Sequence, residues 1–121
     1  MNSLNKIIIA GRIGQDVEVR TLTDGGRVAE FGVATSESWK DRETGEWVER
    51  TEWHTVVTFQ DGLISILEKH ALKGRLVAVV GKLQYRSYRK EGEVSDRQMA
   101  EIMVDIRGEV EFMSPKLKAG W

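Results

Sequence analysis

Only one stretch of this chain repeats its apolar residues at helical spacing. From Asp61 to Lys73, the residues Leu63, Ile64, Leu67 and Ala71 fall on one face. Asp61 offers a side-chain oxygen for the N-cap, and Lys73-Gly74 closes the run with a cation and a C′ glycine. His70 lies near the apolar face and reads as a packed or partly exposed helix residue rather than a ligand. Everything else reads as strand punctuated by glycine, with a single proline at Pro115. A sheet protein that admits one helix has few closed architectures available to it.

The strands follow in order. The first runs from Leu4 to Ile13, where Ile7, Ile8 and Ile9 put apolar groups on both faces. One face meets the core, and the other meets more chain or a second subunit. Gly11-Arg12-Ile13-Gly14 lacks the third glycine of a dinucleotide fingerprint and no helix follows it, so it reads as a bend that helps a small sheet curl. After Glu18 to Thr21, the turn Thr23-Asp24-Gly25-Gly26 leads into a returning strand, Arg27 to Glu37. A turn at Glu43-Thr44-Gly45 opens the next strand, Val48 to Phe59. Beyond the helix come Arg75 to Tyr88, a turn at Lys90-Glu91-Gly92-Glu93, and Glu101 to Phe112. That last segment alternates Ile102, Val104, Ile106, Val110 and Phe112 inward against Glu101, Asp105, Arg107, Glu109 and Glu111 outward. Three strands, a helix and two strands describe an all-β fold: a five-stranded OB-fold, the Greek-key barrel with one helix between strands three and four. It occupies residues 1–112, and residues 113–121 read as a short flexible tail.

At 121 residues the chain is one domain. It has no cysteine, which removes disulfides, thiolate metal sites and cysteine nucleophiles, and its two histidines, His54 and His70, are too few and too far apart for structural zinc. No cofactor or metal site is expected. The N-terminal apolar run is too short for a signal peptide, and nothing later approaches a membrane span, so the expected setting is cytoplasmic, without membrane contact. The net charge of -1 gives no bulk attraction to a polyanion. Any nucleic-acid partner has to be held by local cations and by stacking.

The segment from Ser36 to Phe59 supplies both. It carries three of the four tryptophans among Lys40, Arg42 and Arg50, and aromatic rings interleaved with cations suit a single nucleic-acid strand, which offers flat bases and charged phosphates. Trp39, beside Lys40, Asp41 and Arg42, sits in too polar a context for a core ring. In the strand that follows, Thr51, Trp53, Thr55, Val57 and Phe59 share one face and Arg50, Glu52, His54, Val56 and Thr58 the other. Core packing and stacking therefore compete for Trp53 and Phe59. Tyr88 is flanked by Arg86, Arg89 and Lys90 and reads as exposed. Trp47 suits either a stacking ring or a latch across the hairpin, while Trp121 at the chain end carries no structural case for a role.

These residues resemble the bacterial single-stranded DNA-binding protein family. The resemblance is carried by L-N-K-I-I-I-A-G-R-I-G-Q-D-V-E-V-R from Leu4, by A-T-S-E-S-W ending at Trp39, by T-E-W-H-T-V-V-T-F ending at Phe59, and by Lys73-Gly74. It implies a homotetramer that binds single-stranded DNA without sequence readout in replication, recombination and repair, associated with the nucleoid and without enzymatic activity. By position it implies stacking on Trp39, Trp53, Phe59 and Tyr88, phosphate contacts from Arg20, Lys40, Arg42, Lys73 and Arg86, and a subunit interface at His54, in keeping with a first strand that is apolar on both faces and expected to bring Ile8 to the same interface. Tyr88 stands where the family has tryptophan, and Thr55 and Ser87 stand at places often basic. The family's acidic tip, which recruits partner enzymes, has no counterpart in the basic ending P-K-L-K-A-G-W. Two other readings use the same barrel: an adaptor for protein or oligosaccharide, and a nuclease, which needs convergent carboxylates that are not evident in this sequence.

Overall fold

The structure, a computed structural model, describes residues 3–89 and 91–113. Lys90, Pro115 and the tail through Trp121 lie outside the described residues. The longest pairing joins β3 (Arg27–Lys40) to β4 (Trp47–Thr58) in a one-to-one antiparallel register that runs unbroken from Ala29↔Thr58 to Lys40↔Trp47. Side chains alternate across a strand, so the register divides this ribbon into two faces. Phe31, Val33 and Val56 point into the core, while Glu30, Gly32, Ala34, Trp53 and Val57 point outward. Beyond Ser36 and Thr51 the ribbon leaves the core as an exposed arm. Trp39 and Lys40, read from sequence as loop residues, belong to β3, with Trp39 paired to Val48 and Lys40 to Trp47. The arm persists because its tip is closed locally: Asp41 Oδ1 accepts from Glu43 N at 2.8 Å, and Asp41 N donates to Glu46 O at 2.8 Å.

Closure depends on β1 (Ile7–Ile13), which serves two neighbours. It pairs with β5 (Leu76–Tyr88) from Ile7↔Gly81 to Arg12↔Leu76, and its end pairs with β3 at Arg12↔Ala34 and Ile13↔Val33. Gly11 lies where β1 changes partner. A Cβ there would overlap the Ala34 carbonyl, so only glycine lets the strands approach this closely. β6 (Arg97–Met103) runs parallel to β4 at Val56↔Ile102 and antiparallel to β5, which completes the circuit β1-β3-β4-β6-β5 back to β1. β2 (Glu18–Thr21) extends β3, and β7 (Glu109–Phe112) extends β5. The result is the expected closed barrel of five strands with one helix, α1 (Asp61–His70), inserted after β4.

The core gathers Ile13, Phe31, Val33, Val56, Val77, Val79 and Ile102 from the strands, Val104 from just after β6, and Ile64 and Leu67 from α1. Burying each of the larger side chains contributes about 1.5–3 kcal/mol. Arg27 ties α1 to β3 through Asp61 Oδ1 at 2.8 Å and Glu68 Oε1 at 3.0 Å, and these hydrogen bonds, Asp61 first, hold its guanidinium above the usual arginine range.

Three local expectations change. Asp61 is the first helical residue rather than the N-cap; Gln60 holds that position without a side-chain cap, and the Asp61 carboxylate goes to Arg27 instead. The helix stops at His70, not Lys73, because the next residues bond to the segment after β1: Val17 N to Ala71 O, Lys73 N to Asp16 Oδ1 and Gly74 N to Ile13 O. The single strand expected from Glu101 to Phe112 is two, broken by a turn in which Gly108 N donates to Asp105 O and Arg107 N to Asp105 Oδ1. Ile106 sits in that turn, 85% exposed rather than inward, while Glu101 lies outside the barrel as expected yet only 4% exposed.

Candidate nucleic-acid interface

The registers of five strands bring the outward side chains of β2, β3, β4, β6 and β5 onto one continuous face. Arg20 is opposite Val28, Glu30 opposite Val57, Val57 beside Met103, and Glu101 opposite Gln84, so Arg20, Glu30, Trp53, Glu101, Arg86 and Tyr88 share that face. It spans four strand spacings of about 4.8 Å each. Trp53 is 63% exposed and Phe59, directly after β4, is also exposed, which decides their competition between core and surface in favour of the surface. Tyr88 is exposed as well.

Trp53 is not loose. Its indole lies over Gly14, where a Cβ would come within 2.7 Å of the ring's Cη2, and its Cε3 lies 3.9 Å from the Cβ position of Gly32. Two positions without side chains thus form a flat seat that leaves the other ring face to solvent. Gly74 N bonds Ile13 O and Lys73 N bonds Asp16 Oδ1, so Lys73 and the Trp53 seat flank the same short segment after β1.

The charges on this face are arranged in pairs. Glu30 Oε1 lies between Arg20 Nη2 at 3.6 Å and Arg86 Nη2 at 3.8 Å. Arg86 Nε lies 3.5 Å from Glu101 Oε2, whose partner oxygen accepts from Gln84 Nε2 at 2.9 Å. Glu101 Oε2 itself is buried without a hydrogen bond. Lys40, Arg42 and Lys73, by contrast, form no ion pair with another described residue.

Other expected site residues lie elsewhere. Trp39 has the parity of Val33 and Thr35, so it is on the face of the ribbon opposite Trp53, although both rings are exposed. His54 also faces away from Trp53, as read from sequence, and its Nε2 lies 2.7 Å from Thr35 Oγ1. Trp47 opens β4 as an exposed ring opposite Lys40 rather than latching the hairpin. Ile8 is 67% exposed, opposite Val80 on the outer side of β1 and β5. One ring was missed: Tyr85, 63% exposed, faces opposite to Tyr88 on the β5–β6 arm. The alternation from Val77 and Val79 through Tyr85 carried that signal. Among the described residues no group of three or more metal-ligating side chains converges, and no helix is long and apolar enough to cross a membrane.

The model of the single-strand binding protein family matches residues 4–113. A single-stranded DNA-binding protein of Rickettsia typhi is 48% identical over 86 residues, covering 71% of this chain and 57% of the relative. One from Rhizobium meliloti is 41% identical over 102 residues, covering 84% of this chain and 58% of the relative. The chain therefore spans less than two thirds of the length of these curated relatives. Among solved structures, a Plasmodium falciparum SSB in complex with ssDNA superposes with a TM-score of 0.81 at 34% identity, over 94% of this chain and 98% of that one.

Proposed function

This chain belongs to the single-strand binding protein family, and from that premise we propose that it binds single-stranded DNA without sequence readout, as a non-enzymatic module of replication, recombination and repair. The observation that carries this reading is the exposed indole of Trp53, seated on Gly14 on the face that also holds Arg20, Arg86 and Tyr88. Bases stack on Trp53, Phe59 and Tyr88, each ring contributing about 1–3 kcal/mol. Phosphates meet Lys40, Arg42, Lys73, Arg20 and Arg86. Trp39, on the opposite side of the ribbon, engages the strand where it passes round the arm. Titration with oligo-dT, followed by tryptophan fluorescence across a salt series, tests this: quenching is expected, and affinity falls as salt rises. Binding indifferent to both Trp39→Ala and Trp53→Ala rules the reading out.

The protein works as a homotetramer, associated with the DNA of the cytoplasm. The support is the apolar outer side of β1 and β5, where Ile8 and Ala10 stand opposite Val80 and Ala78 with Ile8 largely exposed, together with His54 on the ribbon face turned from Trp53. Light scattering at micromolar concentration is expected to give four chains per particle; a stable monomer contradicts the assembly.

A further inference from the structure

The proposed DNA face contains a carboxylate where a phosphate is wanted. Glu30 Oε1 stands between the Nη2 atoms of Arg20 and Arg86, at 3.6 and 3.8 Å. Arg86 is held from its other edge by Glu101, which is buried and tethered to Gln84. Two cations and two carboxylates leave this part of the face without net charge. The two carboxylates differ in how firmly they are set. Glu101 cannot leave without exposing a buried, fixed group. The Glu30 side chain is 31% exposed, and both its ion pairs are longer than a hydrogen bond, so it holds the guanidinium groups only by charge.

We propose that Glu30 is a built-in competitor of the DNA backbone: it occupies the phosphate position between Arg20 and Arg86 in the unbound protein and is displaced from both when a strand binds. Glu101 is the positioning residue that keeps Arg86 in place during this exchange. A backbone phosphodiester spreads its one negative charge over two non-bridging oxygens and can offer one to each guanidinium, whereas Glu30 shares a single carboxylate oxygen between the two arginines. The exchange therefore runs forward when bases are stacked nearby and backward when they are not. Glu30 lowers the electrostatic share of affinity and makes unstacked polyanions, duplex included, poor ligands.

This inference rests on the proposed single-strand binding role, and its test separates the two. Wild type, Glu30→Gln and Glu30→Ala are titrated with oligo-dT over a salt series, each with and without Arg86→Ala, after thermal melting has shown which variants are folded. Glu30→Gln is expected to bind about 3–10-fold more tightly at low salt. The plot of log affinity against log salt should keep its slope to within about 0.7, one phosphate's share on a single strand, because displacement leaves the same phosphates on Arg20 and Arg86 with or without Glu30. Arg86→Ala should erase most of that gain, a coupling that a purely structural ion pair does not produce. Unchanged or weaker binding in whichever Glu30 variant is folded, or a slope steeper by a full phosphate or more, overturns the proposal while wild-type binding stands. Failure of the wild type itself to bind oligo-dT removes the binding role, and the competitor with it.

Discussion

Along β4 one strand serves two purposes, and its halves contrast. Over Val56, Val57 and Thr58 the strand is buried on both faces: β6 lies alongside, the core cluster takes Val56, and Thr58 Oγ1 donates to Val104 O at 2.7 Å. Over Trp47 to Trp53 β4 has β3 as its strand partner, and its large rings stand in solvent. The inner half shows apolar side chains doing what burial rewards. The outer half keeps apolar surface where burial gives no return, and such surface is conserved energy for a partner rather than for the fold. Burial and exposure are therefore separated along the twelve residues of one strand.

That separation can be broken by mutation. The largest effect is expected at Val56→Ala, which removes two buried carbons and leaves a cavity: about 2–3 kcal/mol of unfolding free energy is lost, read by denaturant melts, while the folded fraction binds oligo-dT as before. Next is Trp53→Ala, expected to weaken oligo-dT binding by about 1–3 kcal/mol with a melting temperature close to wild type. Gly14→Ala, which pushes the indole off its seat, should weaken binding by a smaller amount, and the loss should vanish when Trp53 is already alanine. Full additivity of the two would contradict the seat. Smallest is Trp47→Ala at the arm tip, within about 0.5 kcal/mol for stability; a loss of binding as large as that of Trp53→Ala would extend the stacking path to the tip.

Much of the barrel was legible because its elements announce themselves locally. The apolar spacing of α1 and the glycine turns between strands need no tertiary context. The break between β6 and β7 was hidden because Val104, Ile106 and Val110 keep the same parity on both sides of it, and Gly108 is the one position at which the alternation lapses. The outer length of β3 was hidden for the opposite reason. Ser36 to Lys40 has no apolar pattern, and its strand character comes from pairing with β4. The rings of the candidate site were legible as residue types, and the face of Trp53 opposite His54 was legible within β4, but the relation between strands was not: that Trp39 and Trp53 oppose each other follows from the unbroken register. The seat of Trp53 on Gly14, and the burial of Glu101 beneath Arg86 and Gln84, join residues far apart in the chain, and neither leaves a mark in its own neighbourhood.

The closing pair of the barrel also sets its clock. Ile7 finds its partner at Gly81 and Arg12 at Leu76, so β1 cannot complete its sheet until more than half of the chain has been drawn together. Loop-closure entropy is spent before that pairing gives anything back. A barrel closed in this way is expected to refold over roughly milliseconds to seconds. During synthesis, β1 emerges first and waits longest, an unpaired apolar edge until β5 leaves the ribosome.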